Sequence, residues 1–253
     1  MASTDDVMDD VTCGENVSGI RHVFNSDGEL FLEDKEHSKK VSETLKDENT
    51  QGKCLSNCTC EDKSRWHGNA ELDVLNECRT AGKLCDVTLC AGDEEFPCHR
   101  AVLAATSLYF RLLLLGDFRE RLEEKVRLED VTPGSLSLLL DYSYTGRIRI
   151  TGETVGELVH ASSLLQFPDV TDACCRYLKH NLRPDNCVQV MKLAEDYYLP
   201  ELSDHVKRFA FENLPAIFVT SDFAQGSLRD DQNVLRLLKQ AMSVARDRCS
   251  CLQ

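Results

Sequence analysis

Residues 84–114 read LCDVTLCAGDEEFPCHRAVLAATSLYFRLLL, and this segment divides into a hairpin followed by helices. Apolar residues alternate along 84–91, as they do on a half-buried strand. Gly92-Asp93 predicts a turn, and residues 95–98 predict a returning strand. The apolar run that follows breaks at Ser107, which predicts two short helices with this serine as the N-cap of the second.

Towards the C-terminus, the chain continues as short strands and helices with short connections. Val126 and Leu128 predict the buried face of a third strand. Thr132 and Pro133 predict the start of a helix that ends at Gly146, because threonine caps, proline fits the first turn and glycine suits the C-terminal stop. A fourth strand is predicted over 147–150, and further helices are predicted over 153–165, 168–181, 185–197 and 201–213. This mixture predicts an α+β fold.

Towards the N-terminus, Leu72 and Leu75 fall on one face of a helix predicted over residues 71–81. Residues 1–70 carry 15 acidic and 8 basic side chains and show no sustained apolar period. The sequence therefore predicts an acidic, mostly disordered leader over residues 1–68. Residues 224–253 predict a divergent tail with one amphipathic helix.

The charge balance limits the classes of partner. Lys and Arg total 29 against 43 for Asp and Glu, which gives a net charge of −14. Nucleic-acid binding needs a basic surface, so we expect no nucleic-acid partner. No apolar run approaches the length of a membrane span, and residues 1–10 contain four acids without an apolar core. We expect no membrane partner and a cytoplasmic, or alternatively nuclear, protein.

Thirteen cysteines without a secretory signal predict reduced thiols. Cys54, Cys58 and Cys60 form the densest group, and clustered cysteines are typical ligands of a structural zinc site. A structural zinc site usually repeats a paired spacing, and no second pair follows at a suitable distance. We therefore expect free thiols there, with no metal and no other cofactor.

Three segments resemble a BTB/POZ domain followed by the start of a BACK domain, as in the kelch-like proteins. They are residues 84–114, 126–148 (VRLEDVTPGSLSLLLDYSYTGRI) and 186–214 (NCVQVMKLAEDYYLPELSDHVKRFAFENL). The resemblance implies a BTB/POZ domain over 69–183, a small sheet flanked by helices, and a partial all-α BACK domain over 184–223. Kelch-like proteins continue into a propeller whose blades need about 40–50 residues each. Because 30 residues follow here, we expect a member truncated before the propeller.

The same resemblance implies a dimer, in which the first helix packs against the partner chain. Leu72 and Leu75 are the expected contacts, and packing of both on their own domain is the alternative. Asp86 and Arg100 match positions that line a charged pocket at the dimer interface of similar domains. An acid among apolar strand residues is costly unless paired, so we also expect Asp86 to contact Arg100. His99 is expected to be a structural hydrogen-bonding residue.

A cullin-binding element is implied just after the third helix of the domain. Family members that bind cullin-3 carry a hydrophobic-x-Glu element there, and Phe118-Arg119-Glu120 matches it. Tyr109 and Leu112 on the preceding helix are expected to contribute to the same surface. The alternative is that Phe118 packs on its own domain and Glu120 is a solvated charge.

No enzyme signature was found in the sequence. Ser203, Asp204 and His205 are triad residue types, but consecutive residues on one helix point in different directions. The resemblance implies a non-enzymatic adaptor that recruits cullin-3 to a ubiquitin ligase, as a homodimer or a heterodimer with other BTB proteins. The alternative is a self-associating scaffold, transcriptional co-regulator or competitor of full-length relatives that binds no cullin.

Overall fold

The computed structural model describes residues 11–13, 20–34, 37, 64–116 and 118–219. The strands described are β1 (Val11–Cys13), β2 (Ile20–Phe24), β3 (Leu30–Asp34), β4 (Val87–Ala91), β5 (Glu94–Cys98), β6 (Lys125–Leu128) and β7 (Arg147–Ile150). The helices described are α1 (Ser64–Thr80), α2 (Arg100–Thr106), α3 (Leu108–Leu115), α4 (Pro133–Thr145), α5 (Val155–Leu164), α6 (Pro168–His180), α7 (Cys187–Asp196), α8 (Pro200–Glu212) and α9 (Leu214–Val219), with a 3-10 turn, η1, at Arg119–Arg121. This combination confirms the predicted α+β class.

The segment that opened the sequence analysis forms a three-stranded sheet in the order β5-β4-β6. β4 pairs antiparallel with β5 and parallel with β6. Leu89 in β4 is buried, as are Val126 and Leu128 in β6. A parallel neighbour requires a crossover connection, and α2 and α3 lie within that connection. α3 and the residues after it are therefore anchored at both sides, because the strands before and after them, β5 and β6, belong to the same sheet.

Local capping signals determine two of the helix boundaries. Ser107 Oγ accepts a hydrogen bond from the Phe110 amide at 3.1 Å and caps α3, as predicted. Thr132 Oγ1 accepts from the Ser135 amide at 3.3 Å and caps α4, which ends at Gly146 with a φ of 68°. Glycine adopts this left-handed conformation without steric cost, so the helix ends where the sequence predicts.

A second sheet, in the order β1-β2-β3-β7, corrects the prediction for residues 20–34 of the leader. β2 and β3 form an antiparallel hairpin, and β3 pairs antiparallel with β7. Leu30 and Leu32 are buried and lie opposite Ile150 and Ile148. Residues 20–34 are therefore ordered, although the remainder of the predicted leader lies mostly outside the described residues. The alternation is short, and the second partner of β3 is β7, a strand more than 100 residues away in the sequence.

Polar contacts add to the apolar packing between this hairpin and the rest of the domain. Arg149 forms a two-pronged pair with Glu29, in which Nε donates to Oε2 at 3.0 Å and Nη2 donates to Oε1 at 2.8 Å. His37 Nε2 donates to the Ser143 carbonyl at 2.8 Å. A Cβ at Gly146 would lie 2.8 Å from the Cβ of His37, so only glycine permits this approach.

The chain divides into two compact units, Met1–Ala173 and Cys174–Gln253, with the boundary inside α6. The sequence placed its own boundary after residue 183, and the division at residues 184–223 and 224–253 stays a prediction. In the second unit, α7 and α8 bury an apolar core that comprises Val190, Met191, Ala194, Leu202, Val206 and Ala210. The predicted tail helix lies outside the described residues.

Tyr198 occupies a backbone conformation that favours glycine. Its φ is 52°, and the Leu199 amide beyond it donates to the Ala194 carbonyl at 2.8 Å, which is the geometry of a helix C-terminal motif. The side chain is 90% exposed, so little packing would be lost on its removal. We expect Tyr198→Gly to raise the free energy of unfolding by about 1 kcal/mol, measured by urea denaturation.

Tyr198→Ala is the matched control for this prediction. It removes the same ring but keeps the Cβ that makes the left-handed conformation unfavourable. We expect it to change stability by less than about 0.5 kcal/mol. Equal stabilisation by both variants would show that the ring, and not the backbone conformation, is responsible.

Candidate partner-binding site

α3 exposes a stripe of leucines on one face while its other face enters the core. Leu108, Leu112 and Leu115 are exposed and follow the i, i+4, i+7 spacing that places side chains on one side of a helix. Phe110 and Leu114 are buried on the opposite side. The helix is therefore apolar on both sides, and its leucine stripe has no cover within the described residues of the chain.

Phe118 follows this stripe and is also exposed, with 57% of its surface accessible. The Gly116 amide donates to the Leu112 carbonyl at 2.9 Å and ends α3. A Cβ at Gly116 would lie 2.5 Å from that carbonyl oxygen and 3.1 Å from Phe118 Cδ2. The absence of a side chain at Gly116 thus lets the aromatic ring lie close to the end of the helix.

The predicted cullin-binding residues divide into three groups in the structure. Leu112 and Phe118 are both exposed on this side of the domain. Tyr109 is half-buried, with its ring edge-on to Phe110 at 5.3 Å between ring centroids. Glu120 lies in η1, but its side chain is outside the described part of the structure.

Three exposed leucines were not predicted as part of this surface. They are Leu108, Leu115 and Leu122, of which Leu122 is the most exposed. The sequence contains an indication of them, because residues 108–115 (LYFRLLLL) carry more apolar side chains than one buried helix face requires. We call Leu108, Leu112, Leu115, Phe118 and Leu122 together the exposed apolar surface.

Asp86 and Arg100 are in contact, as predicted, but for a different reason. Asp86 Oδ1 accepts from the Arg100 backbone amide at 2.7 Å, and Arg100 Nε donates to the Asp86 carbonyl at 3.1 Å. Asp86 is exposed and precedes β4, so the expected cost of a buried acid does not apply. Because the N-cap residue His99 makes no side-chain cap, the Asp86 carboxylate caps α2 instead.

Leu72 and Leu75, the predicted dimer contacts, are packed against their own domain to different extents. Leu72 is buried within its own chain against Val102, Ala105 and Tyr144, and Leu75 packs against the same cluster. Packing on their own domain, the alternative left open by the sequence, accounts for the buried Leu72, whereas Leu75 is half-buried and its place in a dimer stays a prediction. Among the described side chains of α1, those of residues 71–80, Val74 is a large apolar residue that is exposed. The dimer itself, and the place of Asp86 and Arg100 in it, stay predictions.

His99 is buried and hydrogen-bonded, in agreement with the structural role predicted for it. Its backbone amide donates to the Tyr144 hydroxyl at 3.0 Å, and its Nδ1 lies 2.8 Å from the same oxygen. The Arg79 guanidinium lies over the Tyr144 ring at 5.0 Å from the centroid and pairs with Asp141 at 2.7 Å. This cluster links α1, α4 and the start of α2.

Burial disfavours nucleophilic chemistry at several thiols of the described residues. Burial raises the pKa of the Cys98 and Cys187 thiols to about 12, and it also raises the pKa of Cys85. A thiol with a raised pKa is protonated at neutral pH and is a poor nucleophile. In α8, Ser203 is buried and its hydroxyl contacts Met191 Sδ at 3.8 Å, whereas Asp204 is exposed. These two side chains do not converge.

The metal and membrane predictions can be compared with the structure only in part. Among the residues that the structure describes, no three His, Cys, Asp or Glu side chains are grouped to hold a metal. The Cys54–Cys58–Cys60 group lies outside those residues. Within the same residues, every helix is too short or too polar to cross a bilayer.

Comparison with known proteins agrees with this architecture. Residues 75–182 match the family model of the BTB/POZ domain. The chain is 41% identical over 152 residues to kelch-like protein 21 of Danio rerio, covering 60% of this chain and 25% of the relative. It is 37% identical over 154 residues to human kelch-like protein 38 (61% and 26%) and 34% identical over 178 residues to human kelch-like protein 2 (70% and 29%). The chain thus matches just over a quarter of the length of these relatives.

Proposed function

Because the chain contains a BTB/POZ domain and its relatives are kelch-like proteins, we propose that it is a non-enzymatic adaptor that recruits cullin-3 to a ubiquitin ligase. The observation that carries this proposal is the exposure of Phe118 next to the leucine stripe of α3. An aromatic side chain held at the end of an apolar helix face is the arrangement expected of an interface with a helical partner.

The energetics favour Phe118 as the main contact. Burying an exposed phenylalanine against a partner is worth about 1.5–3 kcal/mol from apolar area alone. The neighbouring leucines add apolar area and exclude water around the aromatic ring. Glu120 follows two residues later and is proposed to fix the orientation of the partner through a polar contact, as the resemblance implies.

Binding to the purified N-terminal region of cullin-3 tests the proposal. We expect the intact chain to bind and Phe118→Ala to weaken the affinity by at least about 30-fold, the loss typical of a central interface residue. Glu120→Lys is expected to weaken it as well, through loss of the polar contact and reversal of charge. Isothermal titration calorimetry measures each dissociation constant.

Phe31→Ala is the matched control for this experiment. Phe31 is also a partly exposed phenylalanine, but it lies on β3 in the second sheet. The adaptor role requires that this variant bind cullin-3 as the intact chain does. Failure of the intact chain to bind would contradict the adaptor role and leave the self-associating scaffold.

The dimer is a separate part of the proposal and needs its own measurement. We propose that two copies associate through their BTB/POZ domains, or that one copy pairs with another BTB protein. Sedimentation equilibrium at micromolar concentration is expected to give twice the chain mass of 28.5 kDa. A monomer at that concentration would contradict the homodimer.

A further inference from the structure

In the loop that carries Phe118, the described side chains bury little apolar surface. Between α3 and β6, Phe118, Arg119 and every side chain from Arg121 to Glu124 are exposed. The 3-10 turn contributes two local backbone bonds, from Arg121 to Phe118 at 3.2 Å and from Leu122 to Arg119 at 3.1 Å. A loop without buried apolar side chains is expected to open easily unless another part of the fold holds it.

The Thr88 amide holds the end of the loop by donating to the Glu124 carbonyl at 2.8 Å, and the Arg100 guanidinium contacts the residues before it. Its Nη1 donates to the Arg121 carbonyl at 3.0 Å, and its Nη2 donates to the Glu123 carbonyl. The same side chain donates from Nε to the Asp86 carbonyl, while its own amide is held by the Asp86 carboxylate. One planar group thus joins the start of α2 to the last residue of η1 and to Glu123, two positions beyond it.

We propose that Arg100 is a positioning residue, which holds residues 118–124 so that Phe118 is presented to its partner. This inference rests on the proposed function for the identity of that partner, but its structural part does not. Arginine suits the role because its rigid fork of five donors can reach two carbonyls at a fixed separation, whereas lysine carries three donors on a point charge. Asp86 fixes the base of the side chain, so the fork is held in place before the partner arrives.

Arg100→Lys is the sharpest variant, since it keeps the charge and the aliphatic stem but removes the fork. We expect amide hydrogen exchange of residues 118–124 to become at least about tenfold faster in the free protein. We also expect the affinity for the cullin-3 N-terminal region to fall about tenfold, because a mobile loop must be ordered on binding. Arg149→Lys is the matched control: it breaks a two-pronged pair with Glu29 on the second sheet and should change neither quantity.

A double-mutant cycle separates positioning from general destabilisation. If Arg100 acts through Phe118, Arg100→Lys should cause little further loss of affinity when Phe118 is already alanine. A fully additive loss would overturn the positioning role. Unchanged amide exchange over residues 118–124 in Arg100→Lys would also overturn it. If Arg100→Lys changed the sedimentation behaviour but not the exchange, Arg100 would instead belong to the dimer interface.

The two proposals can fail separately. If the intact chain does not bind cullin-3, the proposed function fails, and the exchange measurement alone decides whether Arg100 holds the loop. If Arg100→Lys does not fold, Arg100→Gln retains a planar amide with two donors on a shorter stem. In that variant we expect faster exchange over 118–124 with the rest of the domain unchanged, and unchanged exchange there would overturn the proposal.

Discussion

Replacing Tyr144 by alanine is expected to lower the free energy of unfolding by about 3–5 kcal/mol, the range found when buried aromatic rings are truncated. Tyr144 is 1% exposed and packs with Leu72, Val102 and Ala105 between α1, α2 and α4. Its removal would leave a cavity in this cluster and take away the ring under the Arg79 guanidinium. Urea denaturation followed by circular dichroism measures the change.

Tyr144→Phe isolates the hydroxyl from the ring. It preserves the packing but leaves the buried amide of His99 without its acceptor. Loss of one partner in a buried hydrogen bond costs about 1–3 kcal/mol, so this variant should lie between the natural protein and Tyr144→Ala. If Tyr144→Phe were as stable as the natural protein, the hydrogen bonds to His99 would contribute nothing to stability.

Leu32→Ala is expected to lower the free energy of unfolding by about 2–5 kcal/mol, as for other fully buried leucines. Leu32 is 1% exposed and lies opposite Ile148, at the junction between the N-terminal hairpin and β7. The prediction tests whether residues 20–34 are part of the domain, in contrast to the disordered leader that the sequence predicted. Urea denaturation again provides the measurement.

The neighbouring residue Phe31 supplies the control for this prediction. It lies on the same strand with its side chain on the opposite face, where it is 39% exposed beneath the Arg149 guanidinium. Phe31→Ala should cost less than about 1 kcal/mol, the usual value of an exposed cation–π contact. A small effect of Leu32→Ala as well would mean that the hairpin contributes little to the stability of the domain.

The elements that the sequence predicted well are those with local causes. α4 begins and ends where Thr132, Pro133 and Gly146 require, because capping depends only on residues within one turn. The hairpin of β2 and β3 was missed because its stability comes from pairing with β7, a contact across more than 100 residues. The buried face of this hairpin also contains two polar residues, His22 and Asp34. These residues interrupt the alternation of apolar residues that would otherwise indicate a strand.

The sequence predicted the candidate site less completely than it predicted the helix boundaries. Phe118, Leu112 and Glu120 were identified through a family resemblance, whereas the role of Arg100 in the loop was not. Its fork contacts the backbone carbonyls of Arg121 and Glu123, and any residue at those positions would offer the same acceptor. Contacts to backbone carbonyls leave no pattern in the sequence, so only the folded arrangement could reveal them.

Photo-crosslinking from position 118 tests the central claim most directly. A benzophenone amino acid is introduced in place of Phe118, and a second protein carries it at the exposed position 31 as a control. In a mixture with the cullin-3 N-terminal region, we expect a covalent product from position 118 and none from position 31. Equal yields from the two positions, or no product from position 118 while cullin-3 is bound, would contradict the claim that Phe118 lies in the interface.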